Sequence, residues 1–215
     1  MFNQGSPIDL IKMFQGVTGQ LQKNKENLNQ ADEYNHDHGD NMVETFEVIT
    51  QAMREKQGAD PADQLAYASE ILRQRKSGSS QLYAKGLSQA SQDFRGQQIT
   101  PNNAMTFIQT LMGGGQPAQA QPQQGGGIGD LLGGLLGGGQ QQNQPHQSSG
   151  LDMGNLLNAG MNFMSTKARG GSNLEAIVNA VVSSSAMGNS GYRSQSGSLV
   201  ASTLMKVIQG MAGGR

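Results

Sequence analysis

A chain of 215 residues with a net charge of −1 and 35% hydrophobic residues is long enough to bury one sizeable core and has no basic excess that would attract nucleic acid. With no cysteine at all, a disulfide framework and any thiolate-bound zinc or iron–sulfur site are excluded. Residues 125–139, the longest apolar-looking run, hold five large apolar residues and one aspartate, far short of the roughly 20 apolar residues of a membrane span; the first residues lack the positive region and apolar run of a signal peptide, so a cytoplasmic protein without membrane contact is expected.

In chain order, Ser6-Pro7 with Asp9 reads as a helix N-cap, a first-position proline and an acid in the first turn. Leu10, Phe14, Val17 and Leu21 then share one face, predicting a first helix that ends near Lys23. Met42, Phe46, Ile49 and Met53 predict a second helix over 41–55. Asp60-Pro61 opens a third, with Leu65, Ala68 and Leu72 inward, and a fourth follows Ser79-Ser80 with Leu82, Leu87 and Ala90 inward. Thr100-Pro101 opens a fifth, burying Ala104, Phe107, Ile108 and Leu111.

Thirteen of the 31 glycines fall between Gly113 and Gly150, among glutamine, alanine and proline. Such a composition buries too little apolar surface to offset ordering, so 113–150 is expected to be a disordered Gly/Gln-rich insertion between two parts of one domain, 1–112 and 151–215. Beyond it, Leu156, Ala159 and Phe163 predict a sixth helix, and Ser172 with Glu175 forms a capping box for a seventh carrying Leu174, Ile177, Val178 and Val181. An eighth carries Val200, Leu204, Val207, Ile208 and Met211. No segment reads as a strand, and the fold class expected is all-α, an eight-helix antiparallel bundle or barrel.

The chemistry-bearing stretch is "YNHDHGDNM", Tyr34 to Met42. Aspartate and asparagine oxygens around a glycine turn, with Asp32 close by, suit a hard cation such as Mg²⁺; His36, His38 and Asp40 would instead suit a softer transition metal. The plain alternative is that Asp40 caps the second helix and the rest is a solvated turn. Farther on, "SGSSQLY" (Ser77 to Tyr83) sets a Gly-Ser-Ser turn before a helix, where amide groups and hydroxyls can bind phosphate or simply cap the helix.

Together, "DEYNHDHGDNM" and "SGSSQLY" resemble the nucleotide-binding L (DhaL-type) domain of the dihydroxyacetone kinase family, whose motifs run approximately L-D-x-x-x-G-D-x-D-H-G-x-N-M and G-G-x-S-G-x-L-Y. "KARGGSNLEAIVNAVVSSSAM" and "GYRSQSGSLVASTL" resemble its later K-G-G-x-T-x-L-D-A-L start and its closing arginine with D-P-G-A. The resemblance implies a barrel of eight antiparallel helices that holds ADP or ATP at one end through Mg²⁺ and three aspartates.

Residue by residue, it maps His38, Gly39, Asn41 and Met42 onto the D-H-G-x-N-M frame after Asp37, and Gly78, Ser79 and Ser80 onto the phosphate turn. Gly170 and Gly171, with Arg193 and Gly197, map onto the later segments. The metal set implied is Asp32 and Asp37, with Asp40 as a substitute carboxylate and Asn35 where the family has an aspartate. In the ungapped frame Gln30 replaces another aspartate; Gln81 stands for a glycine, and Gln195-Ser196 for Asp-Pro. The activity implied is glycerone (dihydroxyacetone) kinase-like phosphoryl transfer, the small substrate being held by a separate K (DhaK-type) subunit. The alternative expectation, motivated by Asn35, Gln81 and the missing Asp-Pro, is a degenerate, catalytically inactive binding or scaffold protein whose Gly/Gln-rich insertion is the working part.

Overall fold

A computed structural model describes residues 7–113, 173–183 and 185–213. Among them the structure is all-α: α1 Leu10–Ala31, α2 His38–Glu55, α3 Pro61–Arg73, α4 Gly78–Asp93, α5 Ala104–Leu111, α6 Asn173–Ser183, a 3₁₀ turn Ala186–Asn189 and α7 Gly191–Gly213. These are seven α-helices among the described residues. The sixth helix expected near Leu156, and the expected insertion beyond Gly113, lie outside them.

Helix starts follow local capping chemistry. Asp60 caps α3 by accepting from the Ala62 amide at 2.9 Å, with Pro61 in the first turn; the restricted ring fits there because its missing N–H has no helical acceptor. The cap of α1 is Asp9, which accepts from the Lys12 amide at 3.2 Å, so Pro7 precedes the helix instead of opening it. Ser77 caps α4 by accepting from the Ser80 amide at 3.1 Å, so the helix starts at Gly78 and takes in the Ser79-Ser80 pair expected to precede it. α5 begins only at Ala104, because Asn103 Oδ1 accepts from the Thr100 amide at 2.8 Å and holds 100–103 as a turn.

Helix α1 runs eight residues beyond the expected end at Lys23, and the reason is Leu28, which is 1% exposed and extends the Leu21 face by two turns. The contacts of α1 with α2 run Thr18 to Thr50, Gln22 to Glu47, Lys25 to Asp40 and Asn29 to Gly39, so one number rises as the other falls. The pair is antiparallel. The same holds for α1 against α7, with Gly16 beside Val207 and His38 of the following helix start beside Ser196, and for α6 against α7 through Asn179–Ser198 and Val182–Gly197.

Helices α1, α2, α4, α5 and α7 close a ring in which each packs on the next, while α3 lies on α2 and α4, and α6 on α7. Its centre is aromatic. Phe14 lies 6.2 Å from Phe46 and 6.4 Å from Phe107, Phe46 lies 4.7 Å from Tyr83, and Phe94 lies 5.7 Å from Phe107. Burying each such side chain contributes roughly 1.5–3 kcal/mol. Tyr83, with Ala84, Leu87 and Ala90, forms the inner face of α4, so Leu82 is only partly buried where full burial was expected. Among the described residues no helix is long and apolar enough to cross a membrane.

Candidate functional site

The loop between α1 and α2 is shaped by its own side chains. Asp32 is 4% exposed, and its Oδ1 accepts from the Tyr34 amide at 3.1 Å, an aspartate turn that starts the reversal. His36 completes it at φ 56°, the left-handed region that histidine enters more readily than most residues. Asp37 then stands at the N-cap of α2 but makes no capping bond; its Oδ1 accepts instead from Asn41 Nδ2 at 2.7 Å. The cap comes from the neighbouring helix. Asn29 Oδ1 accepts from the Gly39 and Asp40 amides at 2.7 and 3.2 Å, and its Nδ2 donates to Asp40 Oδ2 at 2.8 Å.

This close approach needs glycine at 39, because a Cβ there would run into the Lys25 carbonyl. Asp40 faces the same way. Its Oδ1 pairs with Lys25 Nζ at 3.0 Å, and the bonds from Lys25 and Asn29 hold its carboxyl below the usual range. Both Asp40 oxygens are therefore engaged by α1, and the helix-cap role expected of it belongs to Asn29.

His38, the first residue of α2, turns inward to α7. Its Nε2 lies 2.9 Å from Ser196 Oγ, and its ring meets Tyr192 edge to face at 4.7 Å. Burial holds the imidazole below its ordinary range; the Asp32 carboxylate opposes this, the Arg193 guanidinium reinforces it, and Asp37 opposes it more weakly. Those four groups form one cluster, contributed by the end of α1, the start of α2 and the start of α7.

The Gly-Ser-Ser turn arrives at the same end. A Cβ on Gly78 would sit 3.3 Å from the Arg193 guanidinium, so the first residue of α4 lies against the first turn of α7. Ser80 is 1% exposed, and its Oγ bonds Thr45 Oγ1 at 2.9 Å and Ser77 Oγ at 2.8 Å, so this hydroxyl ties α4 to α2 inside the protein. Ser79 is half-buried. The amides of Gly78 and Ser79, as the first two of their helix, have no acceptor within it. Gln81 donates Nε2 to the carbonyls of Arg73 and Arg75 and so secures the α3–α4 connection.

The expected site residues thus separate by position. Asp32, Asp37, His38, Gly78 and Arg193 converge at one end, and Asn41 holds Asp37. Met42, 1% exposed, is core, and Gly197 is a packing glycine whose Cβ would meet Met187 at 3.1 Å and Val182 at 3.3 Å. Asn35 is exposed in the loop, as is His36. The transition-metal grouping is not assembled, because His38 is buried against α7 while the Asp40 carboxylate is held by Lys25 and Asn29 of α1. Gly170 and Gly171 lie outside the described residues. Among the described residues no group of three or more His, Asp or Glu side chains is placed to hold a metal ion.

Sequence reasoning missed Asn29, Thr45, Ser77, Tyr192 and Ser196. Ser77 alone carried a local signal, as a serine directly before a glycine at a helix start. A concavity of about 480 Å³ lies between α1, α6 and α7, with Asn24, Asn27, Asn179, Gln195 and Lys206 on its wall and none of the cluster residues lining it. Comparison with protein-family models, with curated proteins and with solved structures found no significant match to this chain.

Proposed function

We propose that this chain is a relative of the DhaL-type domain that binds ADP or ATP through Mg²⁺ at the α1–α2, α4 and α7 end and takes part in phosphoryl transfer to glycerone or a related small substrate held by a K-type partner. The observation that carries this reading is the convergence of three motif segments, far apart in sequence, on one cluster: His38 bonds Ser196 across 158 positions, and Gly78 abuts Arg193. Asp32 and Asp37 supply two carboxylates, enough for an ion that takes one or two from protein and the rest from water and phosphate oxygens. The Gly78 and Ser79 amides and the Arg193 guanidinium meet the phosphates, and His38 fixes the first turn of α7. Such a site acts by positioning and charge neutralisation.

A second reading is favoured by one observation: Asp40 is held by Lys25 and Asn29, leaving two carboxylates where the resemblance implies three. On it the chain is a degenerate, catalytically inactive binding or scaffold protein. Thermal unfolding with Mg²⁺ and ADP or ATP tests the nucleotide site, since ligand at 100 times its dissociation constant adds about 2.7 kcal/mol. No upward shift with any nucleotide overturns the kinase reading and favours the degenerate scaffold. Phosphotransfer in the presence of a K-type subunit separates them: turnover supports the kinase reading, and binding without turnover supports the scaffold.

A further inference from the structure

Among the described residues Tyr34 is the one large apolar side chain in the open, 87% exposed. Its placement is not that of a loose loop residue. The bond from its amide to Asp32 Oδ1 fixes its backbone beside the cluster, and its ring meets Tyr192 edge to face, 6.5 Å between centroids and 70° between planes. Tyr192 continues the stack to His38 at 4.7 Å, and the Arg193 guanidinium lies 5.7 Å from the Tyr192 ring. An aromatic ladder therefore leads from the buried imidazole to solvent, flanked by a cation.

We infer that Tyr34, backed by Tyr192, is a stacking platform for the base of the nucleotide whose phosphates reach Arg193 and the start of α4. This rests on the nucleotide reading of the site and adds to it the surface that receives the base. Every nucleobase has a π-face, and stacking on an aromatic ring is tolerant of base identity. The wider purine face covers more of the ring, so ATP and GTP bind more tightly than UTP and CTP. The hydroxyl of Tyr34 has no part in stacking, and phenylalanine serves equally.

The experiment titrates the full chain in Mg²⁺ with ATP and, separately, with tripolyphosphate, which has the phosphates and no base. The parent binds ATP more tightly than tripolyphosphate. Tyr34→Ala weakens ATP by about ten-fold, an affinity change of about 1.4 kcal/mol, leaves tripolyphosphate unchanged and retains the parent's melting temperature, whereas Tyr34→Phe matches the parent for both. If the parent binds both ligands equally, or Tyr34→Ala binds ATP as the parent does, the platform is overturned while the phosphate site stands. If the parent binds neither ligand, the nucleotide reading fails and the platform with it.

Discussion

His38 makes two contacts that its neighbours in sequence do not, a bond to Ser196 and an edge against Tyr192, and both require it to be buried. Burial lowers its folded-state pKa below the unfolded value of 6.5. The unfolded chain then takes up a proton that the folded chain resists, so the stability due to His38 is complete above pH 6.5 and is lost as pH falls through that value toward the folded pKa. Urea unfolding should accordingly show a midpoint that drops between pH 7.5 and 5.5, and His38→Gln should flatten that slope. An unchanged slope in the variant would assign the acid sensitivity elsewhere. Asn29 supports a second prediction. It caps α2 in place of Asp37, so Asn29→Ala should cost about 1 kcal/mol in the same assay, whereas a variant as stable as the parent would show that water or Asp37 replaces it. The stretch "YNHDHGDNM" made Asp37 and His38 legible as chemistry. Asn29 was not legible, because its partners lie 10 and 11 positions away across a helix interface and nothing in its own neighbourhood marks it.

Helices could be read where a cap and an apolar stripe agree. Asp60-Pro61 gave the start of α3 to the residue, and Met42, Phe46, Ile49 and Met53 are all buried as their spacing predicts. Boundaries were misread where polar residues hide the stripe, as after Leu21, or where a turn imitates a start, as at Thr100-Pro101. Glycines within helices show how packing overrules propensity. A Cβ on Gly86 would collide with the Leu111 carbonyl, so α4 approaches α5 closely only with glycine there; the helical Gly19 of α1 faces open space. Gly86→Ala should destabilise by about 1–3 kcal/mol, and Gly19→Ala should stabilise by up to about 1 kcal/mol. Chemical denaturation of the two variants checks the contrast, and equal effects at both positions would contradict the packing assigned to α4 and α5.

The all-α class was legible in the whole chain because every apolar pattern among the described helices repeats at helical spacing. How the helices close was not, since the ring depends on contacts such as Gly16 beside Val207 and Thr45 bonded to Ser80 that no single segment contains. The same closure is what gathers the ends of α1, α2, α4 and α7 around His38. Two of the three expected carboxylates, Asp32 and Asp37, act on His38 there, and the third, Asp40, is turned to Lys25. Letters alone ranked Asp40 as the substitute ligand, because its ion pair forms only when α1 and α2 are packed.

The proposed function has this end of the bundle hold a magnesium nucleotide through Asp32 and Asp37. Isothermal calorimetry of ATP into the full chain at millimolar Mg²⁺, repeated without Mg²⁺ and with Asp37→Ala, tests it most directly. Saturable one-to-one binding that weakens at least ten-fold on removing either the ion or the carboxylate is the result predicted. No heat of binding in the parent, or an Asp37→Ala variant indistinguishable from it, would contradict the claim.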